Sequence, residues 1–358
     1  MAETMAVDER TLPDVETARR LFRAMVLIRR FEERTEEQYT RARIGGYCHL
    51  AIGEEAANVG AIDVLREADY LFSSYRDHGA ALAVGSEPHA VMAELMGKAT
   101  GVAGGYGGSM HLLDVARNFL GGWGIVGAQT VIAVGAALAL DYTDSEGIVL
   151  CQLGDGATNT GAFHEALNLA SIWNLPIVFQ ITNNLYGMGT SVDQASAEPE
   201  LYRRASAYRM RGERVDGNDV LAVRAMMGEL ATLAREERRP SVLETMTYRF
   251  RGHSVADAGK LYRTSEEIAE AKRHDPILRF GAYLADAELV AADEQTAIRS
   301  EVDEEVKAAV RKAVADPSPE PDELYDNVYG DHDTAAQFAR MDQAGPFGER
   351  KETRGWRR

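Results

Sequence analysis

Two apolar runs of strand length, separated by one helical segment, constrain the fold of this chain more than any other feature. The runs are GIVLCQL (147–153) and PIVFQIT (176–182), and the segment between them, GAFHEALNLASIWNL (161–175), carries apolar residues at helical spacing. A strand, a helix and a strand in this order form a βαβ unit, whose two strands are parallel. We therefore predict an α/β fold with helices on both faces of a parallel sheet.

Polar residues follow both strands at the point where each strand ends. Asp155 follows the first strand and Asn184 the second, at a separation of 29 residues (184 − 155). This separation fits the roughly 30 residues of one βαβ unit, so we expect both side chains at the carboxyl edge of the sheet, where open α/β sheets bind ligands. Gly-Asp-Gly is also common in ordinary turns. The pairing with an amide favours a magnesium site, because Mg²⁺ takes few protein ligands and completes its shell with phosphate oxygens.

A glycine motif offers a competing interpretation. GGWGIVGA contains Gly122-x-Gly124-x-x-Gly127, the spacing of a dinucleotide-binding fingerprint, which follows an apolar strand and is completed by an acid about 20 residues later. The preceding HLLDVARN is not strand-like, and the next strand-ending acid, Asp155, lies 33 positions after Gly122 (155 − 122). We interpret the glycine-dense stretch 101–129 as loop and keep a NAD-dependent dehydrogenase as a distant alternative.

Composition excludes several classes of function. The chain of 358 residues has a net charge of −17, which argues against nucleic-acid or membrane-surface partners. Cys48 and Cys151 are the only cysteines and lie far apart, so we expect neither a disulfide framework nor a zinc site. We expect a cytoplasmic location instead. The first residues lack the apolar core of a signal peptide. The longest apolar run, VIAVGAALAL (131–140), is too short to cross a membrane and is predicted as a buried helix.

The chain divides into three regions. We expect an N-terminal extension (1–19), one large domain (20–330) and a flexible C-terminal tail (331–358). Within the domain, residues 266–315 are highly charged and helical in pattern, which predicts a charged helical C-terminal region before a proline-punctuated connector (316–330).

Residues 20–330 resemble a known family. GDGATNTGAFHEALNLASIWNLPIVFQITNN is similar to the thiamine-diphosphate motif, in which Gly-Asp-Gly is followed one βαβ unit later by Asn-Asn. GYCHLAIGEEA, SSYRDHG, GGSMH, GGWGIVGAQ, NNLYGMGT and RGHSVADAG also occur in order. Together these segments resemble the alpha subunit of the thiamine-diphosphate-dependent component of 2-oxo acid dehydrogenase complexes, closest to the pyruvate type. The resemblance implies a thiamine-diphosphate-binding fold.

The resemblance also implies a site for thiamine diphosphate and Mg²⁺. The implied metal ligands are Asp155, Asn184 and the main-chain carbonyl of Tyr186. The implied cofactor-binding residues are Tyr75, Arg76, Ala116, Gly124, Val126, Asp155, Gly156, Ala157, Asn184, Tyr186 and His253. Among these, Arg76 offers forked donors to phosphate, Gly156 and Ala157 offer main-chain amides at a helix start, and Val126 is implied to keep the cofactor bent.

Three histidines are implied in catalysis. His49 corresponds to a family position beside the reacting 2-oxo acid, and His78 and His253 lie in loops that the family places at the active site. The implied reaction is oxidative decarboxylation of pyruvate, a small 2-oxo acid, followed by acyl transfer to the lipoyl domain of a dihydrolipoyl acyltransferase. Imidazoles suit the proton transfers that this reaction needs.

The resemblance implies that the chain works in a two-alpha, two-beta heterotetramer. The aminopyrimidine ring of the cofactor needs a carboxylate at its ring nitrogen, and in the family this glutamate comes from a separate beta subunit. Glu54 and Glu55 are candidates within this chain, but at a predicted helix start a carboxylate also serves as a cap or dipole partner. The alternatives are an acetoin or branched-chain 2-oxo acid dehydrogenase alpha subunit and a noncatalytic scaffold.

Overall fold

The computed structural model of the protein describes residues 13–325. Numbered in chain order, the strands are β1 (Tyr70–Ser74), β2 (Phe119–Trp123), β3 (Val149–Gly154), β4 (Ile177–Asn183), β5 (Tyr186–Gly187), β6 (Thr190–Ser191), β7 (Arg211–Asp216) and β8 (Ser241–Met246). Six of them form one sheet in the order β2-β1-β3-β4-β8-β7, and every neighbouring pair in it is parallel. The two short strands β5 and β6 form an antiparallel hairpin.

Helices cover both faces of this sheet. The helices are α1 (Val15–Thr40), α2 (Glu55–Ile62), α3 (His78–Ala83), α4 (Pro88–Leu95), α5 (Ala128–Tyr142), α6 (Gly161–Ile172), α7 (Val192–Ala195), α8 (Val220–Glu237), α9 (Ser265–Lys272), α10 (Pro276–Asp286) and α11 (Ala292–Ala315). In the described part of the chain, 3-10 helices span Gly108–Met110, Val115–Arg117, Asp155–Asn159, Leu201–Tyr208 and Pro321–Tyr325. The predicted α/β fold and the charged helical C-terminal region are confirmed.

Side chains alternate between two cores along the strands, as the two-residue period of a strand requires. Leu150 in β3 packs in a core with α1, α2 and α8, whereas its neighbour Cys151 packs on the opposite face with α5 and α6. The β3–α6–β4 unit is the one predicted, with Thr160 capping α6 by accepting the N–H of Phe163. Strands β3 and β4 pair in register as far as Gly154 and Thr182, so their polar successors meet at one sheet edge.

The glycine-dense stretch is not all loop, and this part of the prediction is wrong. It contains β2, which pairs with β1, and Gly122 lies in that strand. Glycine is required there because a Cβ at this position would lie 1.7 Å from Asp77 Oδ2. The dinucleotide fingerprint therefore does begin in a strand, and Gly127, at φ +83°, precedes α5. The fingerprint still lacks its acid about 20 residues later, because the next strand in sequence, β3, ends at Gly154 just before Asp155 and lies two places from β2 in the sheet.

Helix α5 is not fully buried as predicted. Ala133, Ala137 and Leu140 face the core, but the opposite face exposes apolar side chains to between 37% and 46%: Val131, Ile132, Leu138 and Tyr142. The edge strand β7 has no counterpart among the predictions because its sequence, RGERVD, is mostly charged. No helix in the described part of the chain is both long and apolar enough to cross a membrane.

The domain boundaries stay predictions. Helix α1 begins at Val15 and its Ala18 is buried, so ordered helix extends into the stretch assigned to the N-terminal extension. Residues 1–12 and 326–358, which include the predicted tail, lie outside the described residues.

Candidate active site

A cavity of about 260 Å³ lies at the carboxyl edge of the sheet. Its walls come from the residues that follow β1, β3 and β4, three adjacent strands, which is the position expected for ligand binding in an open α/β sheet. Of the residues implied in cofactor binding, those that line it are Tyr75, Arg76, Val126, Asp155, Gly156, Ala157, Asn184, Tyr186 and His253. The structure thus brings together segments that are far apart in the sequence.

Two of the implied cofactor residues do not line the cavity. Gly124 lies just beyond β2, where an added Cβ would approach His111 Nε2 to 2.9 Å. Ala116 is exposed on the 3-10 helix Val115–Arg117, beside the edge strand. A role for Ala116 at the cofactor finds no support in its position.

Asp155 and Asn184 meet as the βαβ unit predicts. Burial raises the pKa of Asp155 to about 6, while its own N–H, the nearby Arg249 charge and a hydrogen bond from the Asn184 N–H lower it. The Asn184 side chain donates from Nδ2 to Glu54 Oε1 at 2.8 Å, which directs Oδ1 away from that carboxylate. Arg249 Nη1 lies 2.8 Å from this Oδ1 and 2.6 Å from the Tyr186 carbonyl oxygen. Asp155, Asn184 and Tyr186 thus present a carboxylate, an amide oxygen and a main-chain carbonyl around one end of the cavity.

The donor set fits a hard divalent cation. No group of three or more His, Cys, Asp or Glu side chains suited to a metal occurs among residues 13–325. A metal in this cavity would therefore depend on the Asp155 carboxylate together with amide and carbonyl oxygens, because the other carboxylate of the lining, Glu54, is engaged by Asn184 and lies near Arg76. Mg²⁺ accepts such a set when phosphate oxygens and water complete its octahedron.

Glu54 occupies the N-cap position of α2 and Glu55 lies in its first turn, but both side chains have other partners. Glu54 precedes α2 without any capping bond from its side chain. Instead it lines the cavity, orients Asn184 and lies 3.8 Å from Arg76 Nε. Glu55 is fully buried and accepts from Arg29 Nε at 2.5 Å and from the Gly53 N–H at 3.0 Å. Both carboxylates are therefore engaged by neighbours within the chain.

Arg76 is held in place by main-chain oxygens. Its Nη1 donates to the Leu50 carbonyl at 2.6 Å and its Nη2 to the His253 carbonyl at 3.0 Å. Although its side chain is buried, it lines the cavity. A guanidinium fixed in this way supplies positive charge to an anion bound beside it at little further cost in side-chain entropy.

Two histidines and a tyrosine form a cluster, of which Tyr75 and His253 line the cavity whereas His49 does not. The ring centroids of His49 and Tyr75 are 4.5 Å apart, and those of His49 and His253 are 5.0 Å apart. Burial, followed by the charge of Arg76, lowers the pKa of His49 to about 2 and that of His253 to about 4. Both imidazoles are therefore neutral at pH 7. Their buried Nδ1 atoms have no hydrogen-bond partner among the described residues, so the hydrogen-bonding capacity of both atoms is unused.

His78 does not line the cavity, so its position gives no support to a catalytic role, which stays a prediction. It is fully buried, with Nδ1 at 2.8 Å from Glu32 Oε2 and Nε2 at 2.8 Å from Ser109 Oγ. Burial lowers its pKa, but the charge of Glu32 and its hydrogen bond outweigh burial and raise it. Both ring nitrogens are thus used inside the fold, so His78 fixes the glycine-rich loop that carries Ser109.

Comparison with known proteins agrees with this geometry. The family described as "Dehydrogenase E1 component" matches residues 23–322. The chain belongs to this family. It is 42% identical over 309 residues to the pyruvate dehydrogenase E1 component subunit alpha of Rickettsia typhi, covering 86% of this chain and 94% of the relative. The protein of the same name from Rhizobium meliloti is 42% identical over 308 residues, covering 86% of this chain and 88% of the relative. A chloroplastic subunit alpha-3 from Oryza sativa is 41% identical over 325 residues, 88% of this chain and 76% of the relative.

Membership in the E1 component family confirms the resemblance and argues against the NAD-dependent alternative. One residue at the site of this E1 component was missed by sequence reasoning. Arg249 lies three residues after β8, at the same sheet edge as Asp155, and lines the cavity. The signal that could have identified it is its place just beyond a strand end, the same signal that identified Asp155.

Proposed function

We propose that this chain is the alpha subunit of a thiamine-diphosphate-dependent enzyme that decarboxylates pyruvate and passes the acyl group to the lipoyl domain of an acyltransferase. The observation that carries the proposal is the cavity in which the Asp155 carboxylate and the Asn184 amide meet beside the neutral imidazole of His253, against which the imidazole of His49 packs. The names of the relatives, pyruvate dehydrogenase E1 component subunit alpha, support pyruvate as the substrate.

The chain's own residues divide into an anion end and a reaction end. Asp155, Asn184 Oδ1 and the Tyr186 carbonyl would hold Mg²⁺, and Arg76 would offset the remaining negative charge of a diphosphate. Thiamine diphosphate, when bound, supplies the nucleophilic carbon and the electron sink that decarboxylation of a 2-oxo acid requires.

At the reaction end, the neutral imidazoles of His49 and His253 can each accept a proton and hold it as an imidazolium. Each offers an Nδ1 atom that no described residue engages, so each can orient the polar groups of a short 2-oxo acid. Tyr75 packs against both rings, at 4.5 Å and 5.8 Å between centroids. This packing fixes the rings and excludes water from between them, which keeps the imidazoles neutral.

The proposal includes a beta subunit. Glu54 and Glu55 are engaged within the chain, so neither is free to serve the aminopyrimidine, and a carboxylate from another subunit fits that need. The exposed apolar face of α5 (Val131, Ile132, Leu138 and Tyr142) supports such a partner, because a contiguous apolar patch on a protein surface marks an interaction site. Cys48 and Cys151 are both buried free thiols, which supports a reducing compartment such as the cytoplasm.

The test is carbon dioxide release by the chain copurified with its beta subunit, with Mg²⁺ and thiamine diphosphate. Pyruvate, acetoin and branched 2-oxo acids are compared side by side, and pyruvate should turn over fastest. Asp155→Asn should lower the rate by more than the roughly 10- to 100-fold that loss of a supporting partner of a metal ligand costs. Asp193→Asn, on exposed surface of α7, is the matched control and should leave the rate unchanged. No release from pyruvate, or release undiminished by Asp155→Asn, contradicts the proposal.

A further inference from the structure

Arg249 carries a buried positive charge among neutral oxygens. Its side chain is 1% exposed. Nη1 donates to Asn184 Oδ1 at 2.8 Å and to the Tyr186 carbonyl at 2.6 Å. Nη2 donates to the Met188 carbonyl at 2.6 Å and to the Tyr262 hydroxyl at 3.0 Å. Within residues 13–325, no carboxylate oxygen lies within 4.0 Å of its nitrogens. Its charge therefore depends on these hydrogen bonds and on the more distant carboxylates of Asp155 and Asp257, with which it interacts electrostatically.

Two of these four acceptors are the oxygens assigned above to a divalent cation. Amide and carbonyl oxygens are ligands that suit a hard cation, and a guanidinium satisfies the same oxygens as a cationic donor. A guanidinium and a divalent cation on the same oxygens would lie only a few ångströms apart. Because like charges repel strongly at such distances inside a protein, the two cations compete for Asn184 and Tyr186.

The charges that line the cavity sharpen this competition. Its charged side chains are Glu54, Asp155, Arg76 and Arg249, two of each sign. The lining is thus balanced before any ligand binds, and a divalent cation alone adds an excess of positive charge. A diphosphate offsets that excess, so the cation and the diphosphate should each favour binding of the other.

We infer that Arg249 is a positioning residue that competes with the divalent cation for the oxygens of Asn184 and Tyr186. Its contacts hold both oxygens in place, and it must release them when the cation binds. It thereby weakens binding of the bare cation and makes the site depend on the joint arrival of cation and diphosphate. This inference rests on the proposed function, because that function assigns Asn184 and Tyr186 as metal ligands.

The test measures binding of Mn²⁺ alone, without cofactor, to the full chain copurified with its beta subunit. Free Mn²⁺ is followed by electron paramagnetic resonance. Arg249→Met, which keeps an apolar stem and removes the charge, should bind Mn²⁺ at least about fivefold more tightly than the unchanged protein. Arg249→Lys should fall between them, because an ammonium keeps the charge but cannot bridge two oxygens as a planar fork does.

The control is Arg251→Met, two residues along the chain. Arg251 pairs with Glu36, at 2.9 Å from Nε to Oε1, and does not line the cavity, so its loss should leave Mn²⁺ affinity unchanged. A second readout is inorganic pyrophosphate, which should raise Mn²⁺ affinity more in the unchanged protein than in Arg249→Met. Thermal unfolding verifies that each variant is folded.

If folded Arg249→Met binds Mn²⁺ as tightly as the unchanged protein or more weakly, the inference is overturned. If Arg249→Met does not fold, the same result with Arg249→Lys overturns it. Asn184→Ala separates this failure from failure of the proposed function. If Asn184→Ala abolishes Mn²⁺ binding while the Arg249 variants bind as the unchanged protein does, only the inference fails. If Mn²⁺ binds to no variant, or binds undiminished to Asn184→Ala, the assigned metal ligands fail and the inference fails with them.

Discussion

Burial decides the charge of His253, which lines the cavity, and of His49, which packs against it. An imidazolium loses its hydration when it is enclosed, so burial favours the neutral form. Arg76, whose guanidinium is held next to the cluster by the Leu50 and His253 carbonyls, adds like-charge repulsion. The same arrangement therefore supplies positive charge for an anion and keeps His49 and His253 available as acceptors.

The neutral state of His253 predicts a pH dependence of stability. Its pKa in the folded protein, about 4, lies below the ordinary 6.5, so the unfolded chain takes up a proton first as the pH falls. The stability that this difference contributes is present above pH 6.5 and is lost as the pH falls toward 4. In His253→Asn, the loss of unfolding free energy between pH 6.5 and 4.5 should be smaller by about 1 kcal/mol, allowing for the partial exposure of the ring.

Denaturant unfolding at the two pH values measures this difference. His274→Asn is the control, because His274 is exposed at the turn between α9 and α10. Its loss of stability on acidification should equal that of the unchanged protein. An equal loss in His253→Asn would show that burial of this ring is not linked to folding.

At the scale of elements, the glycine-rich loop after α4 wraps around a carboxylate of the chain itself. Glu94 is fully buried in α4. Its two carboxylate oxygens accept the N–H groups of Ala103, Gly105, Gly107 and Gly108 at 2.7 to 3.1 Å. Glycine-rich backbone often forms such a cradle for a bound anion, but here the anion is internal.

Replacing Glu94 by Gln should cost about 1–3 kcal/mol of stability, because an amide nitrogen cannot accept the hydrogen bonds that a carboxylate oxygen accepts and leaves buried N–H groups unpaired. Glu87→Gln, at the N-terminus of the same helix, is the matched control. The Glu87 side chain is 76% exposed and makes no capping bond, so its change should stay within about 0.5 kcal/mol. Denaturant midpoints compare the two, and similar losses would mean that the cradle adds nothing.

Strand β2 requires a glycine at position 122. In Gly122→Ala, the new Cβ would lie 1.7 Å from Asp77 Oδ2, whose other contact is the Leu112 N–H. Either β2 or the Asp77 carboxylate must move, so a loss of about 3 kcal/mol or more is expected. Gly228→Ala in α8 is the control, because nothing lies within 4 Å of its added Cβ. It should be neutral or stabilise by up to about 1 kcal/mol, and thermal unfolding would show whether the two variants differ.

These elements show why part of the fold and of the site could be predicted and part could not. Asp155 and Asn184 were predictable because each follows an apolar run, and strand periodicity is a local property of the sequence. Strand β2 was missed because it contains glycines, and the glycine at position 122 is required by the contact with Asp77, which is distant in sequence. The buried position of His78 depends on Glu32 and on the loop after α4, neither of which a local pattern reveals.

At the scale of the whole molecule, the exposed side of α5 presents an apolar surface to water. The apolar side of α5 begins directly after Gly127, which lines the cavity. Ile125 and Val126, at the start of this stretch, are 74% and 47% exposed. The chain carries a net charge of −17, which should keep it dispersed in water, but this apolar surface stays in water unless a partner covers it. The surface is continuous with the cavity, so a partner bound there also borders the active site.

A charge on this surface should therefore abolish assembly and activity together. Ile132 is 39% exposed on α5, and Ile132→Glu would place a carboxylate inside the proposed interface at a cost of several kcal/mol without a partner charge. The measurement is the mass of the copurified complex by light scattering, alongside carbon dioxide release from pyruvate. The control is Leu278→Glu on α10, where residue 278 is 64% exposed. It should leave both the mass of the complex and the rate unchanged, which would show that the effect is not common to every exposed apolar residue. A full-sized, active complex with Ile132→Glu would place the beta subunit on another face. It would also leave the exposed apolar side of α5 without a function, because the residues of α5 that pack in the core lie on the opposite side of that helix.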